Sequence, residues 1–115
     1  MASVHCMAVV YGDTIFLAGI TEILRSLVGV DVVEIKPKEG DTFFTDARPD
    51  VVILDAAETS SHQMEQLIDS FPTQACPVFI RLNANEQLLT VHSTQNLPAV
   101  NMADLTQVIE RICNP

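Results

Sequence analysis

Apolar positions along this chain switch between two periods, and the switches mark out its elements. VHCMAVVY (4–11) is a short, nearly continuous apolar run, which predicts a buried strand. In TIFLAGITEILRSLV (14–28), Phe16, Ile20, Ile23, Leu24, Leu27 and Val28 follow helical spacing. Asp13 is placed to cap that helix, worth about 1 kcal/mol, and Gly29 to stop it. DVVEI (31–35) predicts a second strand. DTFFTDA (41–47) predicts a brief helix that must end before Pro49, because the residue preceding proline disfavours helix. VVILD (51–55) is the clearest strand, four β-favouring apolar residues ending on an acid. Ser60 or Ser61 caps a helix SHQMEQLIDSF (61–71), with Met64, Leu67, Ile68 and Phe71 on one side. PVFIRL (77–82) is a fourth strand, with proline at its tolerated first position. Asn101 is placed to cap a last helix, MADLTQVIERIC (102–113), in which Met102, Leu105, Val108, Ile109 and Ile112 are in register.

The stretch between the fourth strand and the last helix breaks the alternation. QLLTVHSTQNLPAV (87–100) has no helical period, is rich in β-branched and turn residues, and contains Pro98. Asn83-Ala84-Asn85-Glu86 makes a reasonable hairpin turn, since Asn tolerates left-handed backbone angles. The expected outcome is that VFIRLN turns into an antiparallel strand near LLTVHS, with Leu89 and Val91 on one side and Thr90 and His92 on the other. Strands alternating with helices imply a mostly parallel sheet covered on both faces, a flavodoxin-like three-layer α/β sandwich. Ligands in such a sheet sit at the carboxyl ends of the strands, here Tyr11 to Asp13, Asp55 to Glu58 and Leu82 to Ala84.

Composition narrows the classes. At 115 residues, 48% apolar and 18% charged, the chain is one domain (1–115) with enough core to fold without a staple. No apolar run approaches the ~18 residues of a membrane span, and no signal peptide is visible. A net charge of −9 argues against gripping a phosphate backbone. Ten of the fifteen acids fall between Asp31 and Asp69, opposed there only by Lys36, Lys38 and Arg48, which reads as a solvated acidic face. Cys6, Cys76 and Cys113 are odd in number and widely spaced, so the expectation is free thiols in a reducing cytoplasm rather than a disulfide framework. The glycines at 12, 19, 29 and 40 form no phosphate loop, and His5, His62 and His92 lack metal-ligand spacing. Ser60 or Ser61, His62 and Asp55 could be assembled into a triad on paper, but no nucleophile elbow supports one. Gly19 lies inside the first helix at a cost of about 1 kcal/mol, which a close helix–strand contact would explain.

MAVVYGDTIFLAGITEIL, RPDVVILDAAE and PVFIRLNA together resemble the receiver domain of bacterial response regulators, of the type found upstream of helix-turn-helix output domains. The resemblance covers residues 4–84 and resumes over 101–112. It implies that Asp55 occupies the phosphoacceptor position at the end of the third strand. The family places two adjacent acids after the first strand to hold Mg²⁺, where this chain has Tyr11 and Gly12, with Asp13 one place later. It places Ser or Thr at the end of the fourth strand, where this chain has Leu82. The family's lysine has no counterpart, since no lysine follows Lys38.

A phosphoryl-aspartate needs cationic and hydrogen-bonding partners. The expectation is therefore a degenerate receiver with a vestigial pocket at Tyr11, Gly12, Asp13 and Leu82. It would be no enzyme, without cofactor or metal, acting by contact with a signalling protein or with itself as a homodimer. It would touch neither nucleic acid nor membrane directly, and would be cytoplasmic. The hairpin would replace the family's fourth helix and offer a remodelled face for dimerisation. The alternatives are a genuine response regulator phosphorylated on Asp55 with Mg²⁺, and a small-ligand sensor using the vacated pocket.

Overall fold

The strands are β1 (Cys6–Tyr11), β2 (Val30–Ile35), β3 (Val51–Asp55), β4 (Val78–Asn83), β5 (Leu88–His92) and β6 (Val100–Asn101), and the helices α1 (Ile15–Arg25), α2 (Ser61–Asp69) and α3 (Leu105–Cys113). These come from a computed structural model, which describes residues 6–36, 49–71, 76–92, 100–101 and 104–113. The brief helix expected over 41–47 lies outside the described residues.

One sheet runs in the order β2-β1-β3-β4-β5-β6. Its first three pairings are parallel and its last two antiparallel. The strand order through β4 is consistent with a flavodoxin-like sandwich. Strand alternation divides the sheet between two apolar layers. Ala8, Val10, Val51, Ile53, Ile80 and Leu82 face α1 and α3, while Val9, Val52, Leu54 and Phe79 face α2. Every side chain of β3 is buried, as expected for a central strand covered on both sides. Phe71, just beyond α2, closes its layer with an edge-on contact to Phe79, ring centroids 5.8 Å apart.

The expected hairpin is present. β4 turns through residues 84–87 into β5, with Leu82 opposite Leu89 and Asn83 opposite Leu88. The Asn83 side chain accepts from the backbone N–H groups of Asn85 (3.1 Å) and Glu86 (3.2 Å), which folds the turn back on itself. The left-handed position falls on Gln87 (φ 57°), not on either asparagine. Leu89 and Val91 are buried on the α1/α3 side, while Thr90 is exposed and His92 partly so.

Three local expectations are corrected. Asn101 does not cap the last helix: it pairs with Leu88 in β6, and α3 begins at Leu105. Gly29 does not stop α1, which ends at the Ser26 C-cap; Gly29 takes a positive φ (83°) in the turn leading to β2. Gly19 has no helix–strand contact, since a Cβ there would meet no heavy atom within 4 Å.

The cysteine expectation is also corrected. Cys6 at the start of β1 and Cys113 at the end of α3 form a disulfide across a sequence separation of 107, with Cα atoms 5.4 Å apart. Their distance in sequence gave no hint of this. The α3 helix lies over the sheet face that Cys6 points into, and both residues belong to the same apolar layer. Cys76 is the free cysteine among the described residues. Among those residues no helix is long and apolar enough to cross a membrane.

Candidate functional site

At the carboxyl ends of the strands, three loops converge on Asp55. By alternation it shares the sheet face of Ile53, beneath the start of α1, and only 4% of its surface is exposed. Both carboxylate oxygens are engaged. The Thr14 hydroxyl donates to Oδ2 at 2.9 Å, and the Ala57 backbone N–H donates to Oδ1 at 2.9 Å. The Asp55 carbonyl in turn accepts from the N–H groups of Glu58 (3.0 Å) and Thr59 (2.8 Å). The residue thus organises the loop between β3 and α2, in the manner of an aspartate bonding to backbone two residues on.

Thr14 joins that loop to α1. It is the N-cap of α1, its oxygen accepting from the Leu17 N–H at 3.1 Å while its single proton goes to Asp55. This corrects the expectation that Asp13 is the cap. A one-residue ambiguity is inherent in Asp-Thr, because both residue types cap well. Ser60 resolves the matching ambiguity at α2, where it forms a reciprocal capping box with Gln63.

Asp13 is exposed, and its backbone N–H reaches the Glu58 carboxylate, 3.1 and 3.2 Å from the two oxygens. Glu58 therefore spans the β1–α1 and β3–α2 loops. Gly12, with φ 149°, lies directly beneath it, and a Cβ there would collide with the Glu58 carboxylate and with Leu17 Cδ1. The position thus excludes any side chain while Glu58 stays where it is.

The residues singled out at the strand ends are divided by the fold. Leu82 pairs with Asp55 and lies fully buried on the same face, and its carbonyl accepts from the Ala56 N–H at 2.8 Å. Tyr11 packs against the opposite layer, beside Val9 and Leu54. Arg81 is in register with Leu54, and its Nε donates to the Thr59 carbonyl at 3.0 Å. Asp55, Asp13, Gly12 and Leu82 come together; Tyr11 and Arg81 do not join them. Asp55 takes part in neither of the ion pairs that Arg25 makes with Glu22 and Glu34. No group of three or more His, Cys, Asp or Glu side chains among the described residues is placed to share a metal ion.

No protein-family model, curated protein or solved structure matches this chain.

Sequence reasoning missed Thr14, although it carried a signal as a second cap-type residue after Asp13. It placed Glu58 at a strand end but gave it no role, because that role depends on a loop 45 residues away in sequence.

Chemically, each Asp55 oxygen accepts one bond from a different loop, Thr14 of β1–α1 and Ala57 of β3–α2, so the arrangement joins β1–α1 to β3–α2.

Proposed function

We propose that this chain is a receiver-like signalling module whose phosphoacceptor position has become structural, and that it acts by protein contact rather than phosphoryl transfer. The observation that carries this reading is the structural use of Asp55: a buried carboxylate at the end of the central strand that ties two loops together, held on one oxygen by Thr14 and on the other by the Ala57 N–H, with no cationic side chain paired to it among the described residues. The sheet order and the hairpin in place of a helix after β4 support it further. Leu82 stands where the resemblance expects a hydroxyl, and Glu58 caps the glycine that stands where it expects an acid.

The test is incubation with acetyl phosphate and Mg²⁺, read by intact mass, together with a beryllofluoride titration followed by amide chemical shifts. The expected result is no phosphoryl adduct, no saturable shift, and a thermal midpoint unchanged at millimolar Mg²⁺, which dehydrates only for well-placed oxygen ligands. A saturable change abolished by Asp55→Asn would overturn the proposal in favour of a genuine phospho-accepting regulator.

A further inference from the structure

The Cys6–Cys113 bond joins two elements that are held with unequal firmness. Cys6 is set in the sheet: its N–H donates to the Gly29 carbonyl at 3.0 Å, it pairs with Val30, and β1 lies between β2 and β3. Cys113 is the last residue of α3, a helix of nine residues. An isolated helix of that length is marginal in water, so α3 depends on its docking to stay helical. The docked side is one stripe, with Leu105, Ile109 and Cys113 buried one per turn and Val108 and Ile112 partly buried beside them. The disulfide is thus one of three buried anchors of α3, and it sits in the last turn.

We infer that the Cys6–Cys113 bond is a redox latch on α3. Oxidised, it clamps the helix over the sheet face that α3 shares with α1. Reduced, it lets α3 undock and melt while the sheet stays folded, which uncovers part of that apolar layer. Elements with few buried contacts open first, well before the central strands. The reaction is thiol–disulfide exchange with a dithiol, small or protein-borne. One thiolate of the reductant attacks Cys113 Sγ, the S–S bond breaks, and its electron pair leaves on Cys6 Sγ, which takes a proton. The reductant's second thiolate then closes on its own sulfur in the mixed disulfide and releases Cys113, which takes the other proton. The dithiol is oxidised by two electrons to a disulfide, and the chain gains two thiols. Cys113 is the sulfur attacked because fraying of a last helical turn exposes it, whereas Cys6 is fixed in its strand. Cys76 packs against the opposite layer, so it is not placed to resolve the exchange. The latch does not depend on the role of Asp55.

Hydrogen–deuterium exchange of the full chain, read by mass spectrometry, tests it with the bond intact, in excess dithiol, and after reoxidation with oxidised glutathione, with thiol trapping to report the state. On reduction, amides of α3 should exchange faster by about tenfold or more, while those of β3 keep their protection. Reoxidation should restore the slow exchange, and Cys113→Ser should show fast exchange in α3 without any reductant. Equal protection of α3 in the oxidised and reduced chain overturns the inference. So does loss of protection in β3 together with α3, which would make the bond a staple of the whole fold. A bond that survives excess dithiol in the native protein, or a Cys113→Ser chain with α3 fully protected, overturns it as well.

Discussion

Reduction of the Cys6–Cys113 bond should be the largest single perturbation open to this chain. The bond joins the first residue of β1 to the last of α3, and so closes nearly the whole described chain into a loop, 107 residues apart. A cross-link stabilises chiefly by restricting the unfolded ensemble, and a loop of about 100 residues is worth about 4.7 kcal/mol on that argument. Small domains have a net stability of only about 5–15 kcal/mol, so reduction should remove a third of it or more. Unfolding entropy of about 2.1 cal/mol/K per residue converts this to a fall in thermal midpoint of about 20 °C. The assay is thermal unfolding by circular dichroism with and without a phosphine reductant, paired with thiol titration in denaturant. Titration should find one reactive thiol before reduction, that of Cys76, and three after it. Three thiols before reduction would show that the bond does not form. A bond confirmed by titration whose reduction shifts the midpoint by less than about 5 °C would refute the loop-entropy reasoning.

Three further outcomes follow from the packing and the site. Ile53→Ala, in the fully buried central strand, should cost about 2–5 kcal/mol in urea unfolding, and a cost below about 1 kcal/mol would mean the strand is not central. Thr14→Val keeps the shape but removes both the helix cap and a donor to a buried carboxylate, so it should cost about 1–3 kcal/mol; an unchanged urea midpoint would show that Asp55 does not depend on it. Burial pushes the Cys76 thiol above its ordinary range, which lowers the thiolate fraction near neutral pH. Alkylation of Cys76 by iodoacetamide at mildly alkaline pH should therefore be slower in the native protein than in urea, and equal rates would count against that burial.

Features set by contacts within a few residues were legible from the sequence. Strand β3 could be read because four consecutive β-favouring residues end at Asp55, and α2 because a capping serine, Ser60 or Ser61, and the Met64 side of the helix lie within one or two turns. The hairpin after β4 was legible for the same reason: Asn83 bonds to Asn85 and Glu86, its near neighbours, and Leu89 and Val91 alternate in sequence as they do in the sheet. The position of Asp55 at a strand end was likewise evident, and with it the location of the candidate site.

What the tertiary structure alone decided is everything that needs two distant segments to meet. Asn101 looked like a cap because its helical neighbours are local, but a strand partner at Leu88 claimed its backbone. Whether Asp55 is free or bound depends on Thr14, 41 residues earlier, and the space above Gly12 depends on Glu58. Periodicity shows that a side chain faces one side of a sheet, but not which helix covers that side. That choice separates Tyr11 from Asp55 and brings Cys6 against Cys113. The physical reason is common to all of these cases. Local propensity and capping are energies of neighbouring residues and are written in their order, whereas pairing, occlusion and cross-linking arise only when strand order and crossover connections bring remote segments to the same face.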